Sequence, residues 1–124
     1  MKNEKVETAP ELSQRTKEFS LSIIRMVSSL PSSSTARVMG NQILRSGTSV
    51  GANYREANRA RSKAEFIAKI GDCLKEIDET CYWLELLGES GTISIKKIAD
   101  LLDESRQLIA IFIAILKRSK ASPK

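Results

Sequence analysis

The stretch FIAKIGDCLKEIDETCYWL, residues 66–84, decides the fold. Its apolar residues recur at spacings of three and four, which is the period of a helix with one buried stripe and not that of a β-strand. Stripes of this kind line the contacts between the helices of a bundle. The stretch therefore predicts a helix that packs against other helices. Its stripe consists of Phe66, Ile70, Cys73, Ile77, Cys81 and Leu84.

The rest of the chain predicts three further helices. Pro31 ends the first of them, and the serine run after it supplies an N-cap for the second. Ser62 and Glu65 have the S-x-x-E spacing of a capping box at the start of the third helix, which Gly88 and Gly91 close. By helical periodicity, helices 1, 2 and 4 cover residues 11–29, residues 35–57, and residue 92 or 94 to residue 117.

Four helices joined by short links predict an all-α fold, an antiparallel up-down four-helix bundle. A chain of 124 residues suits a single domain with one core. We assign residues 1–10 to a flexible N-terminal tail, residues 11–117 to the bundle and residues 118–124 to a basic C-terminal tail.

Helix 2 carries a row of glycines, Gly40, Gly47 and Gly51, beside its apolar face. A glycine inside a helix costs about 1 kcal/mol relative to alanine, so the row requires a reason. We expect it to allow close approach by a neighbouring helix of the same chain or of another. A helix that merely tolerates the glycines is the alternative.

Helix 4 is the most apolar part of the chain. Its second half, LIAIFIAIL at residues 108–116, is apolar on every side, which is more than a bundle of this size is expected to bury. We therefore predict an oligomer interface formed by Leu108, Ile111, Phe112 and Ile115. The residues of helix 4 expected to face the core are Ile95, Ile98, Leu102, Leu108, Ile109, Phe112, Ile113 and Leu116.

The composition excludes most catalytic chemistry. The chain has no histidine, which removes zinc sites and the Ser-His and Cys-His catalytic pairs. Carboxylate bundles that hold two metal ions also use histidine. Cys73 and Cys81 would be about 12 Å apart along a helix, too far for a disulfide, and are expected to be buried thiols. We predict a protein that is not an enzyme and has no cofactor.

The chain is expected to be cytoplasmic. Residues 1–10 are charged and lack the apolar segment of a signal peptide. The longest apolar run is the segment 108–116, whereas a membrane-spanning helix needs about 20 residues. We therefore predict no membrane association.

Polar residues stack over several turns of helix 2, and a complementary set lies on helix 3. We call the two sets together the polar ladder, with Arg45, Ser49, Asn53 and Glu56 on helix 2 and Glu76, Glu79 and Trp83 on helix 3. Three interpretations are open: a hydrogen-bonded network that fixes helix register or a subunit contact, a contact to a ligand or RNA, and a solvated face. Trp83 is either an interface anchor or a partial cover for its own bundle.

The formal net charge is +5. Bases dominate residues 37–63 and acids dominate residues 65–89, which suits self-complementary packing as readily as nucleic-acid binding. Few aromatic residues lie near the bases, so a nucleic-acid contact would be made to the backbone rather than to base edges. A solvated face is the alternative. The candidate nucleic-acid-binding residues are Arg55, Arg59, Arg61, Lys63, Lys117 and Arg118.

The segment QILRSGTSVGANYREANRAR, residues 42–61, carries a family resemblance. Together with FIAKI at residues 66–70 and E-x-x-E-x-x-Y-W-L at residues 76–84, it resembles the four-helix bundle proteins encoded in intervening sequences of bacterial 23S ribosomal RNA genes, also called S23-like. The motif R-S-x-x-S-[VI]-x-x-N-x-x-E is present as Arg45, Ser46, Ser49, Val50, Asn53 and Glu56. The likeness covers residues 19–116.

The resemblance implies properties that the residue pattern does not provide. Members of this family resemble up-down bundles that assemble as barrel-shaped homopentamers. A related accessory protein of diversity-generating retroelements is a basic pentamer that binds nucleic acid and a reverse transcriptase. The implied partners are thus other copies of the chain, RNA or DNA, and a protein partner. The alternative function is a structural module whose charged faces serve only self-assembly or a protein contact.

Overall fold

The structure of the chain is a computed structural model that describes residues 7–121. Within this range there are four α-helices and no strand, which confirms the prediction of an all-helical, four-helix fold. The helices are α1 (Ala9–Ser28), α2 (Ser34–Asn58), α3 (Lys63–Glu89) and α4 (Ile95–Ala121).

Short polar side chains cap the first three helices. The hydroxyls of Ser33 and Ser62 accept hydrogen bonds from the first turns of α2 and α3, as predicted. Glu65 returns its carboxylate to the backbone N–H of Arg61 and not to that of Ser62. The cap of α1 is Thr8, which forms a complete capping box with Glu11 and was not predicted.

The helical part of the chain begins earlier and ends later than predicted. Because α1 begins at Ala9, residues 9 and 10 are helical and do not belong to a tail; proline is tolerated in the first turn, where its missing N–H is not needed. Likewise α4 continues to Ala121, so residues 118–121 of the predicted basic tail are helical. Residues 1–6 and 122–124 of the two predicted tails lie outside the described part of the chain.

The helices alternate in direction. Gly40 of α2 lies beside Leu30 of α1, whereas Gly51 lies beside Thr16. The pairs Ser46–Thr80 and Glu56–Lys69 establish the same antiparallel relation between α2 and α3. Since α4 also packs antiparallel to α3, the C-terminal ends of α2 and α4 lie at one end of the bundle, together with the α2–α3 turn. We call this the basic end.

The contact between α1 and α4 is the smallest in the bundle. It is anchored by Arg15, whose Nε donates to Glu104 at 2.6 Å and whose guanidinium also pairs with Glu7. The hydrogen bond that Arg15 donates to Glu104 is the main reason that the pKa of Arg15 is raised. Therefore α1 depends mainly on α2 for its packing.

The core follows the predicted stripe of α3, apart from Phe66, which is half-buried. The Tyr54 and Phe112 rings, 6.0 Å apart, join α2 to α4 across the centre. Cys73 and Cys81 are buried free thiols, and burial raises the pKa of Cys73 to about 12.

The predicted core face of α4 is partly wrong. Ile95 and Ile113 are 58% and 40% exposed, whereas Leu101 and Ser105 are buried. The hydroxyl of Ser105 donates to the carbonyl of Leu101 at 2.8 Å, so its burial leaves no unmet hydrogen bond. Because so many residues of α4 are apolar, hydropathy alone does not fix the rotation of the helix about its axis.

The glycine row of α2 faces α1 of the same chain. A Cβ at Gly47 would lie 2.8 Å from a buried carbon of Ile23, and one at Gly40 would lie 3.0 Å from Leu30. At Gly51 the neighbour is the backbone carbonyl of Thr16, at 3.3 Å. The row therefore allows the predicted close approach, and α1 is the helix that makes it.

Candidate functional site

Three sets of residues were predicted to act on partners, and the first is the polar ladder. Arg45 of α2 donates a hydrogen bond to Glu79 of α3 and a longer one, of 3.4 Å, to Glu76. The same guanidinium also donates to Gln42 one turn earlier at 3.2 Å. The part of the ladder around Arg45 is thus an ion-pair network between two helices of one chain.

Trp83 completes this network. Its indole Nε1 donates to Glu79 at 3.2 Å, and its ring is half-buried against the core. Tyr82 stands edge-on to Trp83 with ring centroids 5.3 Å apart, but remains 54% exposed. Of the two interpretations of Trp83, the cover for its own bundle describes its contacts within the chain.

The remaining members of the ladder do not join the network. Ser49 bonds to the carbonyl of Arg45 in its own helix at 2.7 Å, and no hydrogen bond joins the half-buried Asn53 side chain to residues 7–121. Glu56 instead pairs with Lys69 at 2.6 Å. The hydrogen bond that Lys69 donates to Glu56 is the main reason that the pKa of Lys69 is raised. The ladder therefore links α2 to α3 at two levels.

A buried link lies beneath the ladder. Thr80 of α3 and Ser46 of α2 are fully buried, and the Thr80 hydroxyl donates to the Ser46 hydroxyl at 2.8 Å. Each hydroxyl also lies within hydrogen-bond distance of a carbonyl one turn earlier in its own helix, those of Glu76 and Gln42. The α2–α3 contact is consequently polar at its centre as well as at its surface.

The predicted oligomer interface of α4 is wrong in two of its four residues. Leu108 and Phe112 are completely buried inside the single chain, so neither can contact a second copy. Ile111 and Ile115 are half-buried and pack against the same core. The bundle buries more of this segment than expected, because the two alanines at 110 and 114, and not bulky residues, occupy much of the outer face.

Other apolar side chains are exposed on the surface. On α1 these include Leu21 and Ile24, and on α2 they include Val38 and Leu44. Their exposed fractions range from 36% to 59%. None of these four residues was selected from the sequence.

The predicted nucleic-acid-binding residues gather at the basic end. Arg55 lies in the last turn of α2 and Arg59 is its C-cap residue. Arg61 follows in the turn, and Lys63 begins α3. The alternation of the helices brings Lys117 and Arg118 of α4 to the same end. The structure thus brings together two sets of bases that are far apart in the sequence.

Most bases of this end are free of ion pairs. The side chains of Arg55, Arg59, Arg61, Lys117 and Arg118 are exposed, and none forms a salt bridge with another residue of the range 7–121. By contrast, Arg15, Arg45, Lys69 and Arg106 each pair with at least one carboxylate.

A cleft between α1 and α2 adjoins the basic end. It has a volume of about 410 Å³, and its lining includes Ser13, Lys17 and Ser20 of α1 and Gly51, Arg55 and Arg59 of α2. Lys17 and Ser13 were missed in the sequence because they flank the apolar stripe of helix 1 without a motif. The available signal was the recurrence of small residues on one side of each helix, such as Ser13 and Ser20 in helix 1 and Gly47 and Gly51 in helix 2.

The described helices show neither a metal-ligand cluster nor a membrane-spanning segment. No cluster of three or more potential ligand side chains in residues 7–121 is arranged to hold a metal ion. Over the same residues, none of the four helices combines the length and apolarity needed to traverse a bilayer.

The chain is similar in sequence and in fold to known proteins. The model of a family described as 23S rRNA-intervening sequence protein matches residues 10–114. A crystal structure from Bacteroides thetaiotaomicron, described as a protein with unknown function from the S23 ribosomal protein family, is 40% identical and superposes with a TM-score of 0.80. The match covers 86% of this chain and 98% of the other. No curated protein matches the chain.

Proposed function

The chain belongs to the family of 23S rRNA-intervening sequence proteins, and from that premise we propose that it is a non-catalytic cytoplasmic protein that binds RNA or DNA through its basic end. The observation that carries the proposal is the gathering of unpaired bases at that end. Arg55, Arg59 and Arg61 come from the α2–α3 region, and Lys117 and Arg118 come from α4.

Bases without carboxylate partners are the ones available to phosphates. An ion-paired arginine must give up its partner before it binds a phosphate, whereas an exposed free arginine gives up only water and side-chain freedom. Such contacts neutralise phosphates and release counterions, so binding would weaken as the salt concentration rises. With few aromatic side chains nearby to stack on bases, the contact would be largely independent of sequence.

The proposal includes assembly into a homo-oligomer, the homopentamer that the family resemblance implies. A ring of subunits would present several basic ends to one polynucleotide. Linked contacts of modest strength add up because each later contact is intramolecular. A weak basic end on each subunit would then suffice for useful affinity.

The test is a titration of the purified protein with single-stranded RNA over a range of salt concentrations. We expect the double variant Arg59→Gln/Arg61→Gln to lower the slope of log affinity against log salt by about 1.4, or about 0.7 for each lost contact to a single strand. The matched control is Arg25→Gln/Arg37→Gln, which removes the same charge from exposed positions outside the basic end.

Equal effects of the two double variants would contradict the proposal, because net charge alone would then explain the binding. Affinity no higher than that of an acidic control protein would also contradict it.

The second candidate function is a structural module that acts through self-assembly or a protein partner. The exposed apolar side chains of α1 and α2, among them Leu21, Ile24 and Val38, favour it. The charges of the polar ladder do not, since they pair within one chain. An oligomer held by apolar contacts should persist in high salt. Light scattering at rising salt tests this, and a monomer at every salt concentration would refute assembly in both candidate functions.

A further inference from the structure

We propose that the cleft between α1 and α2 is a phosphate-binding site, in which Lys17 of one wall and Arg55 of the other hold one phosphate group of a polynucleotide backbone. This inference rests on the proposed function and deepens it. It assigns a specific subsite to the basic end and adds a residue, Lys17, from a helix that the sequence did not implicate.

The shape of the cleft comes from small residues on both walls. Ala52 and Gly51 of α2 face Ser13 and Ser20 of α1, and Gly51 lies against the carbonyl of Thr16. No large side chain on these positions therefore fills the space between the two helices. Further along the same two helices, Ile23 packs over Gly47 and the interface is closed. The opening is thus confined to the part of the interface next to the basic end.

The charge of the cleft is positive. Lys17, Arg55 and Arg59 line it, and none of them forms an ion pair with another residue in the range 7–121. The one carboxylate in the lining, Glu56, is engaged by Lys69 of α3 at 2.6 Å. An anion in the cleft would accordingly meet three free cations and an acid whose charge is already balanced.

The hydroxyl groups of the cleft contribute little to binding. Those of Thr16 and Ser20 donate to carbonyls of their own helix, at 3.1 and 3.2 Å. The Ser13 oxygen accepts a hydrogen bond from the Asn58 amide at 3.3 Å, which leaves its own hydrogen free to donate. The cations are the main recognition groups, so the site would select a phosphate charge and not a particular base or sugar.

The same chemistry fits a phosphodiester and a free phosphate ion, and the experiment separates them. The first arm measures binding of a labelled single-stranded RNA at 0.1 M salt to the wild type, to Lys17→Gln and to the control Lys75→Gln. Lys75 is an exposed lysine of α3 that lacks ion pairs with residues 7–121. The second arm follows the phosphorus-31 line width of inorganic phosphate with the same proteins.

We expect Lys17→Gln to lower the RNA affinity about fivefold, since one phosphate contact contributes a factor of about 10^0.7 between a 1 M reference and 0.1 M salt. The salt slope should fall by about 0.7. Lys75→Gln should bind as the wild type does. In the second arm, phosphate should broaden with the wild type and less so with Lys17→Gln.

Two outcomes overturn the inference without affecting the proposed function. One is RNA binding that Arg59→Gln/Arg61→Gln weakens but Lys17→Gln does not. The other is an equal loss with Lys17→Gln and Lys75→Gln. If the wild type binds no RNA, the proposed function fails, and with it the polynucleotide as ligand. Phosphate broadening that depends on Lys17 would then support a site for free phosphate, and its absence would remove the site altogether.

Discussion

The two flanks of α2 carry similar charged residues, but those on one flank are ion-paired and those on the other are not. On the flank towards α3, Arg45 is paired with Glu76 and Glu79, and Ser46 meets Thr80 in the core. On the flank towards α1, Arg55 lines an open cleft and has no ion pair with a residue in the range 7–121.

The difference arises from the neighbouring helices and not from α2. The side of α3 that faces α2 supplies Glu76 and Glu79 within reach of Arg45. The adjoining side of α1 instead supplies Ser13, Lys17 and Ser20. A base on α2 is thus structural or available according to what the next helix presents. Both the closed and the open parts of the α1 flank, and the paired α3 flank, can be tested separately.

The largest effect is expected in the closed part of the α1 flank. Ile23 is fully buried against Gly47, so Ile23→Ala should lower the free energy of unfolding by about 2–5 kcal/mol through lost burial and a cavity. Its neighbour Ile24 is 42% exposed, and Ile24→Ala should cost less than about 1 kcal/mol. Urea unfolding measures both, and equal losses would contradict the assignment of the closed part.

Glycine substitutions should separate close approach from helix propensity. At Gly71 an added Cβ meets nothing within 4 Å, so Gly71→Ala should stabilise the protein by about 1 kcal/mol. At Gly47 it would meet three carbons of the fully buried Ile23 side chain, the nearest at 2.8 Å. The overpacking should exceed the propensity gain and give a net loss of about 1 kcal/mol. Stabilisation by both variants would show that the α1 flank is loosely packed.

The buried hydroxyl pair tests the α3 flank. Thr80→Val keeps the shape of the side chain but removes the hydrogen bond to Ser46, and should cost about 1 kcal/mol of unfolding free energy. Adding Ser46→Ala to that variant removes the remaining buried hydroxyl, so the second substitution should cost less than it does alone. A double-mutant cycle measures this coupling. Strict additivity would mean that the two hydroxyls act independently.

The smallest effects are expected for substitutions of the paired Arg45 and the unpaired Arg55. Arg45→Gln should cost about 0.5 kcal/mol of unfolding free energy at low salt, because half-exposed ion pairs contribute little. Arg55→Gln should change the stability by less than that, since it has no ion pair to lose. The difference should vanish in 1 M salt, where screening is nearly complete. An equal loss for Arg55→Gln would show that the base is held within the chain.

The features that the sequence predicted well are local ones. The stripe of α3, the serine caps of α2 and α3, and the need for a close neighbour at the glycine row all depend on residues within a few turns of one another. The capping box of Thr8 and Glu11 was readable by the same rule. It was missed because it precedes Pro10, where the chain was expected to be still outside the helix.

The features that the sequence did not predict depend on the relation between helices. The rotation of α4, which exposes Ile113 and buries Ser105, depends on its packing against α3 and α1. The cleft depends on the register of α1 against α2, which brings Lys17 near Arg55. A free base and a paired base have the same sequence signature, and only the opposing helix distinguishes them.

The small contact between α1 and α4 has a further consequence for hydrogen exchange. A helix that depends mainly on one neighbour can separate from the bundle while α2, α3 and α4 remain packed. Amide protons of α1 should then exchange through a partial opening that costs less than global unfolding. Since α1 is also one wall of the cleft, an occupant that bridges the two walls would slow the exchange of α1.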